Sequence, residues 1–194
     1  MTMLLLSTAD TELLAARAGG ADWRVANPAR VAAAEVPLLV ADAEVVVVRL
    51  LGGREAWRDG LDAVLAAGRP TVVLGGEPTP DATLMALSTV SSGVATQALA
   101  YLVEGGPDNL RELRRFLSDT LLLTGAGFAP PRRTPAYGVR PGRARRDGRP
   151  LVGVVYYRAH ELSGNTGFVD ALCEAIEDAG GDALPVYCAS LRGA

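Results

Sequence analysis

The sequence predicts an α/β protein: a doubly wound parallel-sheet domain, a linker, and the first βαβ unit of a second α/β domain. Three observations predict it. Short runs dense in valine and leucine, such as Ala43 to Gly53 and Arg69 to Gly76, read as strands covered on both faces. The segments between them carry apolar residues at helical spacing, and this alternation is the pattern of parallel strands joined by helices. The texture then changes over residues 125–150, "GAGFAPPRRTPAYGVRPGRARRDGRP", which has no apolar period. These boundaries give an N-terminal domain over 1–124, a Pro/Gly/Arg-rich linker over 125–150 and the start of a second domain over 151–194.

Taken in order, Met3 to Ser7 is the first buried strand. "DTELLAARA" follows as a helix, with Asp10 or Thr11 as N-cap and Gly19-Gly20 as the stop. After the central strand comes "GREAWRDGLDAVLAAG", whose Trp57, Leu61, Val64 and Leu65 share one stripe. Beyond the strand at Arg69–Gly76, "TPDATLMALS" starts a helix with Thr79 as cap and Pro80 at the first helical position. Ser92 to Leu123 is mostly helical, with Leu110, Leu113, Phe116, Leu117 and Leu121 on one face. In the second domain, Leu151 to Tyr157 is a strand and "RAHELSGN" a loop. A helix then runs from about Thr166 to Ala179, capped by Asn165. Its stripe is Phe168, Leu172, Ala175, Ile176 and Ala179. Ala183 to Ser190 is the next strand.

Composition removes several function classes. All 19 basic residues are arginine. Without lysine there is no Schiff-base lysine and no GxxxxGK[ST] phosphate loop, so this chain does not hydrolyse ATP at a Walker-type site of its own. The two cysteines, Cys173 and Cys188, are not in CxxC spacing and read as thiols of a reducing compartment. No signal peptide is recognisable, and no apolar stretch reaches the roughly 20 residues of a membrane helix. The expectation is a cytoplasmic protein without a membrane partner. The formal net charge is −3. Between Arg132 and Arg149 lie seven arginines and one acid, about +6, so the rest of the chain is correspondingly acidic. With little aromatic interleaving, that segment reads as a linker rather than a nucleic-acid arm.

In an open parallel sheet, ligands gather at the carboxyl ends of the strands. "RAHELSGN" occupies such a place. Arg158 can hold a carboxylate with two parallel hydrogen bonds. His160, the single histidine, can accept or donate a proton near neutral pH. Gly164 lets a ligand approach the backbone, and Asn165, Thr166 and the following helix start offer polar groups and free N–H donors. One histidine without a second ligand at helical spacing does not make a metal site, so none is expected here. The same residues also admit plain roles: an Arg158–Glu161 ion pair, a hydrogen-bonded histidine, a helix cap. Two "LGG" turns, at Leu51 and Leu74, lack the GxGxxG pattern; Arg49, Arg54 and Glu77 beside them read as solvated or packing charges.

"VGVVYYRAHELSGNTGFVDALCEAIEDAGGDALPVYCASLR" resembles the large subunit of aerobic cobaltochelatase, which shares a family with the large subunit of magnesium chelatase. The R-x-H-x-x-x-G core and the helix leading to G-x-x-x-x-P-V carry the likeness. Upstream, "VVVVRLLGGREAWRDGLDAVLAAGRPTVVLGGE" and "PDATLMALSTV" extend it along the chain. The resemblance implies insertion of Co²⁺, as substrate, into hydrogenobyrinic acid a,c-diamide during cobalamin biosynthesis. It also implies AAA+-type partner subunits that hydrolyse the ATP. On this likeness, His160 is the candidate catalytic residue, and Arg158, Gly164, Asn165 and Thr166 are candidate substrate contacts. The family subunit is several times longer, so this chain is expected to be an N-terminal fragment without chelatase activity of its own. The alternatives are a magnesium chelatase large subunit, or a non-catalytic α/β module that binds a tetrapyrrole or docks the ATPases.

Overall fold

The structure is a computed structural model that describes residues 2–20, 22–141, 146 and 148–191. It divides into two units, Met1–Arg132 and Arg133–Ala194. In the first, strands β1 (Met3–Ser7), β2 (Trp23–Ala26), β3 (Val45–Leu50) and β4 (Thr71–Gly75) form a four-stranded sheet in the order β2-β1-β3-β4. All three pairings are parallel. Helices α1 (Asp10–Ala18), α5 (Ser92–Glu104) and α6 (Gly106–Leu122) cover one face. The other face carries α2 (Val36–Val40), α3 (Arg58–Ala66) and α4 (Ala82–Met85).

Period-two alternation decides which residue meets which layer. Met3, Leu5, Val45, Val47, Val72 and Leu74 face α1, α5 and α6. Leu4, Leu6, Val46, Val48, Leu50 and Val73 face the opposite helices. The central strands are therefore apolar at every inner position, as expected of parallel strands buried twice. The stripes expected on α3 and α6 are the buried ones: Leu61 and Val64 on α3, Leu110, Leu113, Phe116 and Leu117 on α6.

Two expected caps are displaced. Asp10 is the first residue of α1, not its cap; Ala9 holds the N-cap position. The Asp10 carboxylate is engaged elsewhere, accepting from Asn27 Nδ2 at 2.8 Å and Arg30 Nη2 at 2.7 Å. At α4 the cap is Asp81, whose Oδ1 accepts from Leu84 N at 3.0 Å, rather than Thr79. Aspartate here satisfies the N3 amide directly, which leaves Thr79 and Pro80 outside the helix.

Residues beyond α6 are strapped back onto it. Tyr101, fully buried, donates its hydroxyl to Ala129 O at 2.5 Å. Glu112 Oε2 accepts from Ala129 N at 2.8 Å. Asn109 reads the Arg132 backbone from both sides: Oδ1 accepts from Arg132 N at 2.8 Å and Nδ2 donates to Arg132 O at 2.9 Å. Phe128 packs edge-on against Phe116, ring centroids 5.1 Å apart. The strap is extended and proline-rich, so its backbone groups turn to side chains for partners.

The second unit holds β5 (Tyr137–Val139), β6 (Leu151–Tyr157), α7 (Arg158–Ser163), α8 (Gly167–Asp178) and β7 (Asp182–Cys188). Its sheet order is β5-β7-β6, with β6 and β7 parallel and β5 antiparallel to β7. Strand β5 lies inside the segment whose composition reads as linker. Three residues, one a glycine, give too short an alternation to register. Val169 and Cys173 of α8 pack against Val154 and Tyr156 of β6 and Ala183 of β7. The expected α8 stripe is corrected here: Phe168 and Leu172 are about half exposed, at 52% and 50%. The helix carries two apolar stripes of identical spacing, one residue apart, and the stripe that begins at Val169 meets the sheet.

Candidate functional site

The carboxyl ends of β1 and β3, where the strand order reverses, form the usual ligand crevice of such a sheet. In the first unit that crevice is filled by side chains. Arg49 of β3 is 4% exposed and pairs with Glu12 of α1. Its remaining donors go to Gly75 O at 3.2 Å and Gly76 O at 2.8 Å. Ser7 donates its hydroxyl to the other Glu12 oxygen at 2.6 Å. Burial pushes the Glu12 carboxyl up, opposed by the Arg49 guanidinium and the Ser7 hydroxyl. Arg49 thus ties β3, β4 and α1 together. The glycines of the second LGG turn answer to packing: a Cβ on Gly76 would lie 2.4 Å from the Leu51 side chain. A shallow concavity of about 340 Å³ remains between the two turns, with Glu77 and Asp81 on its rim. Arg54 pairs with Asp62 at 2.8 Å.

At the end of β6 the chain coils at once. "RAHELS" is helix α7, not a loop, and it closes in a Schellman motif. Asn165 N donates to His160 O at 3.0 Å and Gly164 N to Glu161 O at 3.2 Å. Gly164 has φ +70° with no atom near a would-be Cβ, so its conformation serves the helix stop and leaves open space above it. Asn165 is consumed by this turn and does not cap α8. Thr166 holds the N-cap position, with no side-chain cap bond.

Helical geometry separates two expected partners. Arg158 and His160 lie two residues apart on α7, about 200° around the axis. Arg158 turns to Thr134, donating to its Oγ1 at 2.7 Å and its carbonyl at 3.2 Å. His160 turns to α8, its ring edge-on to Phe168 with centroids 5.1 Å apart. Its Nδ1 is buried and has no hydrogen-bond partner among the described residues. His160, Gly164, Asn165, Thr166 and Phe168 therefore gather at the α7–α8 junction, and Arg158 stands apart from them. Phe168 was invisible as a site residue because it fits a helical apolar stripe; an aromatic eight residues after the histidine is the only sequence signal.

Glu161 does not pair with Arg158. It accepts from the buried Tyr156 hydroxyl at 2.6 Å and lies 3.9 Å from Arg140 Nε. Arg140 also reaches Asp170 at 2.9 Å. Arg149 lies 3.7 Å from the buried Asp182. Charges of the Arg-rich segment thus meet acids of the second unit. Arg143 and Arg145 of that segment lie outside the described residues.

Burial, then the Glu161 hydrogen bond and charge, push the Tyr156 phenol well above the ordinary tyrosine range. A folded-state value above the unfolded one means stability that is whole below about pH 10 and falls as pH rises further. We expect Tyr156 to ionise late, as a delayed step in a 295 nm titration. Tyr156→Phe is expected to reduce that late signal, leaving the part due to Tyr101, whose phenol burial also pushes up.

Among the described residues, no group of three His, Cys, Asp or Glu is placed to hold a metal ion, and no helix is long and apolar enough to cross a membrane.

The comparisons with known proteins all point one way. The model of the CobN/Magnesium Chelatase family matches residues 99–194. The aerobic cobaltochelatase subunit CobN of Pseudomonas aeruginosa is 30% identical over 216 residues, spanning 98% of this chain and 17% of its own length. The protein of the same name from Sinorhizobium sp is 34% identical over 228 residues, spanning 99% of this chain and 18% of its own. The solved catalytic subunit of cobaltochelatase from Mycobacterium tuberculosis is 54% identical, with a TM-score of 0.77 over 100% of this chain and 16% of that one. Residues 99–194 form a domain of the CobN/magnesium chelatase family. The chain is a fragment, spanning 16–18% of the length of these relatives. The CobN/magnesium chelatase match starts within α5 and runs through the second unit, so it takes in the whole α7–α8 junction.

Proposed function

We propose that this chain is the N-terminal part of the tetrapyrrole-binding large subunit of an ATP-dependent cobaltochelatase. That subunit inserts Co²⁺ into hydrogenobyrinic acid a,c-diamide, in the cytoplasm, with AAA+-type partner subunits hydrolysing the ATP. The similarity of almost the entire chain to cobaltochelatase subunits carries this reading. These 194 residues contain no lysine and so no Walker-type phosphate loop, which agrees with ATP hydrolysis by other chains. The fragment alone has no chelatase activity in this reading.

Metal insertion requires the macrocycle to be held, its ring N–H protons removed and the ion's water shell exchanged for ring nitrogens. The substrate carries carboxylates and amides around an apolar ring. The α7–α8 junction offers groups of matching kinds. Phe168 presents a half-exposed aromatic surface. The exposed Asn165 side chain and the first turn of α8 offer donors for an amide or carboxylate arm, beside a mostly buried Thr166, and Gly164 leaves the room to approach. His160, its ring held against Phe168, accepts a ring proton. Arg158 takes a second carboxylate on its own side of α7 by exchanging its bond to Thr134.

The test uses the full-length subunit with its ATPase partners. His160→Ala is expected to lower chelation by about 100-fold or more with substrate binding largely kept, the usual size of a proton-transfer role. Arg158→Ala is expected to weaken tetrapyrrole binding by about ten- to a hundredfold. Wild-type binding and insertion in both variants would remove the roles given to these residues. Insertion of Mg²⁺ in place of Co²⁺ would move the protein to the other branch of its family.

A further inference from the structure

Among the described residues, the second unit leaves one face of its sheet bare. Paired residues of neighbouring strands share a face, and on this face two rows run across all three strands. Val155, Val186 and Val139 form one; Tyr157, Cys188 and Tyr137 form the other. Neither row contains a charge. Val155 is 55% and Tyr137 77% exposed, whereas the opposite face is closed by α8. Parallel strands are almost always covered on both faces, because the connections between them carry helices to both. Among the described residues, the edge of β6 away from β7 is also unpaired. A valine-rich open edge beside a bare apolar face invites a partner.

The first unit shows how such a sheet is completed. There β1, α1 and β2 form a parallel unit with the helix on one face; the chain then returns past β1 to place β3 on its other side. The helices from α2 to α4 lie on the opposite face. In the second unit β6, α8 and β7 repeat β1, α1 and β2, and the place equivalent to β3 is the free edge of β6. Crossovers between parallel strands are right-handed. Travel from β6 to β7 put α8 on its face. Travel in the reverse direction with the same hand puts the next helix on the other face, which is the bare one. The relatives supply the length required, since this chain spans only 16–18% of them.

We infer that another segment of the same full-length polypeptide, outside these 194 residues, adds a parallel strand to the free edge of β6 and roofs the Val155 and Tyr157 rows with its helices. This does not depend on the chelatase reading. Hydrogen exchange tests it, comparing the 194-residue chain with the full-length subunit purified without partners. The β6 amides bonded to β7 serve as the folded reference within each sample. The remaining β6 amides are expected to exchange freely in the short chain and at least about 100-fold more slowly in the full-length subunit. In the full-length subunit a Val155→Cys thiol is expected to react with a maleimide far more slowly than in denaturant. Four results would overturn the inference. They are free edge exchange in the full-length protein, a rapidly reacting thiol there, edge protection in a monomeric short chain, which assigns the face to the first unit, and protection that follows dimerisation of the short chain, which assigns it to a second copy.

Discussion

Arg49→Ala is expected to lower the unfolding free energy of the first unit by about 3–5 kcal/mol. The substitution strands the Glu12 carboxylate, whose side chain is only 16% exposed, and removes the donors from Gly75 O and Gly76 O. The magnitude comes from the residue left behind rather than from the strength of the pair. Removing both charges together with Arg49→Met and Glu12→Leu is accordingly expected to recover most of the loss. Both tryptophans, Trp23 and Trp57, belong to the first unit, so their fluorescence in a urea titration reports this unit alone. A single variant with an unchanged midpoint would mean that water replaces Arg49 at no cost and that the crevice is open.

Asn109→Ala is expected to cost about 2–3 kcal/mol. Asn109 is 3% exposed and makes three bonds: to Gly105 O at 2.8 Å and to both backbone groups of Arg132. No other side chain can accept and donate on one peptide in this way except glutamine, whose extra methylene does not fit the same depth. The loss falls on the strap as well as on α6. Trypsin is expected to cut after Arg132 faster in the variant than in the wild type, since the bond is held only while the strap is bound. Equal cutting rates would show that Tyr101 and Glu112 hold the strap without Asn109.

Where one periodicity dominates, the fold was legible. Val45–Leu50 and Thr71–Gly75 have no polar position inside except Arg49 and Thr71, and α6 has one strong apolar stripe; these elements fall where the pattern puts them. Strand β2 leaves no such pattern, because Trp23–Ala26 is four residues at a sheet edge with an arginine among them. On α8 the pattern was ambiguous. Phe168 and Leu172 have the same spacing as Val169 and Cys173, and only the sheet decides between them; Ile176 of the expected stripe does pack on the core. The candidate site was legible as a place, the end of β6, but not as a constellation. As a loop, its residues could converge on one ligand. Once they coil into α7, the helical angle sends Arg158 and His160 apart, and only His160 stays with Gly164, Asn165 and Thr166. Arg140 was hidden for a different reason: its acid partners, Glu161 and Asp170, lie far along the chain from a segment whose composition alone suggests no structure.

The strap also decides where this polypeptide can be divided. Composition breaks after Thr124, and a cut there is what a reading of domains by texture would choose. Such a cut discards residues 125–132 and bares the Tyr101 hydroxyl and the Asn109 amide, both accommodated inside the first unit by that short tail. It also uncovers one side of Phe116. The first unit is therefore expected to be soluble and recombinable with foreign sequences when it is carried through Arg132, and to expose a sticky seam along α5 and α6 when it is not.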